Sequence, residues 1–563
     1  MSDIRLRDGS KLHPLLEDIL LSRGICDHQS IVEFLNPKLS DLPDPFLLKD
    51  MDPAAGLICD ALMQDRDFLI WGDYDVDGTT ATALLVKFFA LLGKEAAYHI
   101  PNRLTEGYGL QEKGLKKITE NRIPEKCILI TVDNGISAHR AVNYARELGY
   151  TVIVTDHHLS GAKRVAAHAV INPNQKDCGF PDKNMAGVGI AFYLAMAVRS
   201  RLMQAGYFTE SAPPNLKTLL DLVAIGTVAD MVVLGEVNRV LVKAGLEVIA
   251  GGGNCGLTAL CRKTNIDPGF LRSEDISFQL APKINAAGRL GDAQKAVRLF
   301  LASSKSEAAL LAAQLVANNE IRKDITMRDF AHALDELMLA GENKLSVTTV
   351  VAGAYHVGVA GIVASKLVEK FRKPAVVLCE TEDGEFKGSA RSVQGVDLYG
   401  ALADCHELLL GFGGHKMAGG MSMLPENLSD FKVLFNDAVK KQGTAEMDEV
   451  PVCDADIEAG ALFSGQLLRQ IHMMEPFGQG NPQLIFRDTS SKFLQLSQIG
   501  KDKNHLRFSL QGSSRNVQGV AFGFGEDFEK CLSNRQREIF YTPSVNFFRG
   551  KRSWQVRVTG LKF

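Results

Sequence analysis

The 563-residue chain has little of what staples, spans or disorders a protein. Its ten cysteines stand singly between Cys26 and Cys531, with no CxxC pair. The nearest two, Cys255 and Cys261, have no second pair at zinc-finger spacing. That excludes a disulfide scaffold and a zinc knuckle, and fits reduced thiols in a cytosol. No apolar run approaches the roughly 18 to 20 residues of a membrane span; Ala191 to Val198 has only the length of a core helix. The opening MSDIRLRDGS carries both signs of charge and no apolar h-region, so no secretory signal is expected. Internal repeats and low-complexity tracts are missing too. With 46% apolar and 23% charged residues, the composition is that of a cytoplasmic globular protein of several domains, without a membrane partner.

Charge is scarce in the net and uneven along the chain. The formal total is −3, which by itself argues against a histone-like polyanion binder. From Arg487 to Phe563, however, 14 Lys and Arg face 6 Asp and Glu, whereas the remainder holds 49 basic and 60 acidic residues. An acidic body with a basic, aromatic-bearing tail separates chemistry from polyanion contact. A merely solvated basic face is the plainer alternative.

The pattern divides the chain into blocks. Residues 1–50 read as a small helical segment packed onto the next block, ending in the Pro/Asp-rich SDLPDPF. Across 51–250, the short runs FLIW, CILITV, TVIVT and HAVI alternate with helical stretches, which implies βαβ units and a parallel sheet covered on both faces. In a connecting region, 251–345, the 38 residues Ser303 to Ala340 contain neither Gly nor Pro and predict a long helix. A second α/β block covers 346–440 and ends in the glycine-rich FGGHKMAGG; KKQGTAEMDEVP then reads as a linker. Residues 450–563 hold several short strands, the pattern of a small closed barrel of the OB type.

Three strands of the first block run into acidic residues: Asp73, Asp75 and Asp77 in GDYDVDGTT, Asp133 in VDNGIS, and Asp156, His157 and His158 in TDHH. In open parallel sheets, ligands bind beyond the carboxyl ends of the strands, so these groups converge. A single Asp at such a place is often just a helix N-cap, and a lone HH pair is often structural. Three strand ends together are harder to explain that way. Unneutralised, the carboxylates would raise one another's pKa values, and a bound cation removes that cost. Mostly carboxylate with one or two imidazoles suits Mn²⁺ or Mg²⁺, with the histidine favouring Mn²⁺. Four or more carboxylates exceed the need of one divalent ion, so two ions are expected, suited to in-line phosphoryl displacement.

DYDVDGTT, VDNGIS, TDHH and GTVADMV (Gly226 to Val232) resemble the four motifs of the DHH phosphoesterase superfamily. PNRLTEGYGL, INPNQ, AGVGIAFYL, APKINAAGRLGDA, FKGSARSV, GFGGHKMAGG and EPFGQGNP extend the likeness over essentially the whole chain, toward its bacterial single-strand-specific exonucleases. The fold this implies is α/β. A DHH phosphoesterase domain with a parallel sheet and a DHH-associated nucleic-acid-binding domain are joined by a long helix, followed by the OB-type β-barrel. The activity it implies is a two-metal 5′→3′ exonuclease of single-stranded DNA, serving repair and recombination. By motif, Asp73 and Asp75 would serve one metal, Asp77, His157 and Asp230 the other, and Asp133 would bridge them. Asp156 would orient the first histidine, His157. His158 would contact the scissile phosphate, and a water activated at the bridging position would attack it. A single-strand-binding protein and a helicase are partners implied by the resemblance alone.

Other residues would hold the strand. Arg103, at the end of AAYHI, could be only a counter-ion to the carboxylates; the resemblance implies instead that, with Ser389 and Arg391, it contacts a terminal phosphate, which a guanidinium fork and a hydroxyl suit. Asn285 and Arg289 in NAAGR would line the passage between the lobes, although the asparagine could equally cap a helix. In FGGHKMAGG, Gly414 lets backbone approach a phosphate while His415 and Lys416 add donors; His356 lies near the same helix start. The run does not match GxxxxGK[ST], so nucleotide hydrolysis is not expected. In the tail, Phe508, Phe522, Phe524, Phe547, Phe548 and Trp554 alternate with Arg507, Arg549, Lys551 and Arg552, as in modules that stack single strands. Two alternatives stay open: a superfamily phosphodiesterase for short oligonucleotides or signalling dinucleotides, and a non-catalytic single-strand-binding scaffold.

Overall fold

Five short strands, β1 (Asp67–Trp71), β2 (Ala97–His99), β3 (Cys127–Val132), β4 (Thr151–Thr155) and β5 (Ala169–Ile171), form an all-parallel sheet in the order β2-β1-β3-β4-β5. The computed structural model describes residues 4–120, 123–161, 163–209, 212–339, 346–443, 453–533, 537–548 and 551–563. Alternation along each strand sends side chains to opposite faces. Ile70, Ile130 and Ile153 enter one core, while Leu69, Leu129 and Val152 enter another. Both faces are therefore buried, as a parallel sheet requires. The helices Val76–Leu91, Gly187–Gln204 and Leu220–Ala229 cover the first face. That same core continues without a break through Leu257, Phe300 and Leu315 of the connecting region.

The absence of Gly and Pro after Ser303 is realised as one 35-residue helix, Lys305–Leu339. It leads to a second sheet of β6 (Thr349–Gly353), β7 (Ala375–Glu380), β8 (Phe386–Arg391), β9 (Gly411–Gly414) and β10 (Ala418–Met423), in the order β6-β7-β8-β10-β9. Only β6 and β7 are parallel; the remaining pairs are antiparallel. The stretch expected as a linker begins inside the helix Leu428–Gln442, and the rest of it lies outside the described residues, apart from Gly443.

The C-terminal domain is a seven-stranded sheet that includes Lys492–Ile499, His505–Gln511, Asn516–Phe522, Glu538–Phe548 and Lys551–Lys562. The many-stranded module expected there is present. Its strand order has two ends among the described residues, so backbone pairing does not close it all the way round. A bulge between Leu494 and Ser497 bends one edge strand.

The N-terminal segment departs from expectation in its docking. Leu39, Leu42 and Phe46 do pack on the first lobe, but Leu16, Ile19, Leu20, Ile31 and Leu35 share a core with Leu467, Ile471, Phe486 and Tyr541. Sequence neighbours therefore lose to residues over 400 positions away. No single described helix is long and apolar enough to cross a membrane.

Candidate active site

β1, β3 and β4 are parallel neighbours in register, so their carboxyl ends open on one edge of the sheet. Asp73 follows β1, Asp133 follows β3, and Asp156, His157 and His158 follow β4. Asp75 is the N-cap of the helix Val76–Leu91 and accepts from Gly78 N–H at 3.0 Å. The plain capping role thus falls to Asp75. Asp77 lies in the first turn, where Oδ2 accepts from Gly187 N–H at 2.6 Å and Oδ1 from Val188 N–H at 2.8 Å. It sits at the positive end of the helix Gly187–Gln204. Asp230 enters as the C-cap of Leu220–Ala229. Asp133 holds a left-handed backbone, φ 61°, an unfavourable state for a non-glycine residue that recurs at functional sites.

Three sets of ligand atoms result, each within 4.8 Å: Asp73, Asp75 and Asp133; Asp77, His157 and Asp230; and Asp133, His157 and His158. His157 Nε2 lies 3.1 Å from Asp133 Oδ1, 3.7 Å from Asp230 Oδ2 and 3.9 Å from Asp77 Oδ2. Yet Asp73 Oδ1, Asp133 Oδ1 and His157 Nε2 are buried and make no hydrogen bond. Buried polar atoms without partners are costly. Carboxylate oxygens and an imidazole nitrogen left bare around a common centre are a donor set that fits divalent cations.

The electrostatics agree. Burial, followed by the charge of Asp75, pushes Asp73 well above the usual carboxylate range and lifts Asp77 to about 7. Asp133 is also pushed well up, by burial and then by Asp77 and Asp75; Asp230 rises to about 9 by burial and then Asp77. His157 is held down to about 4, first by burial and then by His158, so its ring stays neutral with a lone pair free.

One expected role changes hands. Asp156 does not orient the ring of His157: its Oδ1 lies 2.7 Å from His158 Nδ1 and accepts from the backbone N–H of His157 and His158. Although burial opposes it, the His158 hydrogen bond and charge keep Asp156 below its ordinary pKa. Burial alone would lower His158; the Asp156 bond and charge raise it instead. The reason is local: the carboxylate turns back on the second residue after it, leaving His157 directed at the cluster.

Arg103 stacks its guanidinium 5.0 Å over Tyr74, on the loop between Asp73 and Asp75, and makes no ion pair among the described residues. Asn285 does act as a cap, accepting from Val76 N–H at 3.2 Å, which ties the passage to the Asp75 loop. Arg289 donates to Gly358 O at 3.2 Å across the two lobes. His356 accepts from Gly358 N–H through Nδ1, and its own N–H is held by Asp329. Ser389 and Arg391 lie on β8, with Ser389 paired to Gly420 and Arg391 to Ala418. The glycine-rich run is an antiparallel hairpin of β9 and β10 with Gly414 at φ 142°, and His415 and Lys416 at its exposed tip.

Sequence reasoning missed Tyr108, which donates to Asp133 O at 3.2 Å and places its ring edge-on to Tyr74 and His158. It also missed Asn134, whose amide bonds Trp71 O and Val132 O and so ties two strand ends together. Both residues stand inside family motifs, PNRLTEGYGL and VDNGIS, but nothing in spacing distinguishes them from their neighbours. In the tail, Phe508 fills the core and Phe524 is partly buried, while Phe522, Trp554 and Arg507 are exposed. The side chains of Phe547, Phe548, Arg549, Lys551 and Arg552 lie outside the described residues. A groove of about 1470 Å³ runs between residues 265–279 and this domain, lined by Phe270, Arg272, Arg515, Phe522 and Trp554.

Comparison with known proteins places the same parts in the same order. The DHH family N-terminal domain matches residues 67–227, the DHHA1 domain 343–441 and the RecJ OB domain 453–560. The chain is 37% identical to the single-stranded-DNA-specific exonuclease RecJ of Dickeya dadantii, over 98% of this chain and 96% of that one. It is 36% identical to that of Escherichia coli, over 98% and 96%. Among solved structures, RecJ of Thermus thermophilus in complex with Mn²⁺ superposes with a TM-score of 0.77 at 28% identity, covering 100% of this chain and 80% of that one. An exonuclease RecJ bound to manganese gives 0.60 at 33% identity, covering 72% and 96%.

Proposed function

This chain belongs to the RecJ family of single-stranded-DNA-specific exonucleases, and on that premise we propose that it removes nucleotides from the 5′ end of single-stranded DNA with two divalent ions. Whatever the direction and the number of ions, it is a metal-dependent exonuclease of single-stranded DNA. The observation that carries the two-ion reading is the pair of ligand sets, Asp73 with Asp75 and Asp77 with His157 and Asp230, which meet at Asp133. Bound there, two divalent ions would act as Lewis acids and lower the pKa of an attacking water.

The residues divide the remaining work. The Gly187 and Val188 N–H groups pin both oxygens of Asp77, so that its carboxylate needs no reorganisation as the reaction proceeds. Asp156 occupies His158 Nδ1, which leaves Nε2 as the ring nitrogen to donate toward the scissile phosphate. Arg103, Ser389 and Arg391 would take the terminal phosphate, whose extra charge over an internal diester selects an end. Mn²⁺ is the favoured ion because His157 is in the ligand set.

The test uses one 5′-phosphorylated single strand labelled at either end, with Mn²⁺ or Mg²⁺, for wild type and Asp133→Ala. Release from the 5′ end is expected. It should fall at least about a thousandfold in the variant, the ~4 kcal/mol of lost charge stabilisation, while binding persists. Release from the 3′ end would overturn the direction; an active variant would overturn the shared-ligand role of Asp133.

A further inference from the structure

Asp230 is held differently from Asp77. Both oxygens of Asp77 are pinned by backbone N–H groups. The Asp230 carboxylate accepts no hydrogen bond among the described residues and faces His157 Nε2 at 3.7 Å. Its place is therefore set by its backbone. On one side stands the helix Leu220–Ala229, whose last turn the Asp230 N–H closes onto Gly226 O at 2.9 Å. On the other side the chain turns at Met231 with φ 60°, a left-handed state that a non-glycine residue keeps only when its surroundings enforce it. The Met231 side chain is 70% exposed, so the enforcement comes from further along the loop.

Leu234, four residues after Asp230, supplies it. Its side chain is buried, and its N–H donates to Gln479 O of the C-terminal domain at 2.7 Å. Gln479 sits in a tight hairpin, closed by Gly478 N–H to Asn481 O at 2.8 Å and Asn481 N–H to Gly478 O at 3.1 Å. The Asn481 amide braces the turn by donating to Met474 O at 2.8 Å and Pro476 O at 2.9 Å. The fit against the loop leaves no spare room. A Cβ on Gly478 would stand 2.8 Å from Leu234 Cδ1, and one on Gly480, at φ 78°, 2.6 Å from Val233 Cγ1. Only glycine lets the two backbones approach so closely. Both glycines belong to EPFGQGNP, a motif with no part in the ligand sets.

We propose that the hairpin Gly478–Asn481 of the C-terminal domain is a positioning element for Asp230, and that the seating of this domain sets the affinity of the ion shared by Asp77, His157 and Asp230. The proposal rests on the two-ion reading and deepens it. A ligand fixed only through its backbone moves with the loop that carries it, and the far end of this loop is tethered to the hairpin. The loop of Asp73 and Asp75 takes its hold from Gly78 N–H and Asn285 instead, so the other ion keeps its place. The coupling is reciprocal: an ion that needs Asp230 in position also favours the seated domain.

The experiment titrates the full chain with Mn²⁺ alone, without DNA, by calorimetry. Gly480→Ala and Gly478→Ala push the hairpin off the loop. Gly523→Ala, at φ 87° in the same domain, where a Cβ would meet nothing within 4 Å, controls for backbone strain. Wild type and Gly523→Ala should bind two ions alike. Gly480→Ala should weaken one of them about tenfold to a hundredfold, the range for lost support of a metal ligand, and leave the other unchanged. Gly478→Ala, at a position without positive φ, should weaken the same ion, and it keeps the test if Gly480→Ala does not fold. Asp230→Asn should lose that ion, and Gly480→Ala added to it should change nothing further. Turnover supplies a second readout: Gly480→Ala should need about tenfold more Mn²⁺ for half-maximal kcat, with the KM for a single strand unchanged at saturating Mn²⁺. Wild-type affinity in both glycine variants, equal weakening of both ions, or a raised KM at an unchanged Mn²⁺ requirement overturns the proposal. If wild type binds a single ion, the two-ion reading fails, and weakening of that ion in Gly480→Ala but not in Gly523→Ala still decides the role of the hairpin.

Discussion

At the scale of single residues, the site is a problem of crowded charge. Asp73, Asp77, Asp133 and Asp230 are all shifted upward, by burial first and by a neighbouring carboxylate second, Asp75 for the first two and Asp77 for the others. A carboxylate whose folded pKa lies above its unfolded value of about 3.9 stabilises the fold below that value, and the stabilisation is lost as pH rises through the folded pKa. With Asp77 near 7 and Asp230 near 9, the metal-free protein should weaken progressively from about pH 4 to pH 9. A cation removes the repulsion, so the rise in melting temperature on adding Mg²⁺ should be larger at pH 8.5 than at pH 5.5. Thermal melts with and without Mg²⁺ at both values check this, and a pH-independent rise would contradict it. Asp73, Asp77, Asp133 and His157 were legible in the sequence because each stands where an apolar run ends, whereas Asp230 was legible only through the likeness of GTVADMV to a family motif. Which histidine Asp156 holds was not, since one rotamer separates the two choices.

Among the elements, helix ends position the chemistry. The helix Gly187–Gln204 begins against the site so tightly that a Cβ on Gly187 would stand 2.7 Å from Asp133 Cβ and 3.0 Å from Asp77 Oδ2. Gly187→Ala should therefore displace both carboxylates and destabilise the chain by about 1–3 kcal/mol, the range for overpacking. Calorimetric metal titration should show weaker binding, with denaturant melts reporting the stability change. Metal affinity equal to wild type would show that the helix can back away at no expense. Gly187 stands in the family motif AGVGIAFYL, yet the sequence assigns it no role, because close approach between segments 110 residues apart leaves no local signature. The glycine-rich hairpin teaches the same point: its glycines are visible in the sequence, but their pairing across β9 and β10 depends on register.

For the whole molecule, the decisive contact is Arg239. Buried in the helix Glu236–Ala250, it donates to five backbone carbonyls: Phe34 O in the N-terminal segment, and Met473, Met474, Glu475 and Pro476 O in the C-terminal domain. Its guanidinium also lies 3.8 Å from the centre of the Phe34 ring. One side chain thereby ties both ends of the chain to the first lobe. Arg239→Met keeps the volume but leaves buried carbonyls bare, at about 1–3 kcal/mol for each group not rehydrated. The expected outcome is an earlier, separate calorimetric transition for the C-terminal domain. A single transition at the wild-type temperature would contradict this.

Periodicity, the Gly- and Pro-free stretch and the strand-end aspartates determined the two α/β lobes, the long connecting helix and the edge of the sheet where the chemistry sits, because each of these signals is local. Only the tertiary structure decided that the N-terminal helices share a core with the C-terminal domain and how the strands of the last sheet are ordered. These depend on apolar surface meeting across hundreds of residues. Burial is indifferent to sequence distance: Leu16 and Leu35 bury as well against Leu467 and Ile471 as against any neighbour, and no local pattern records that choice.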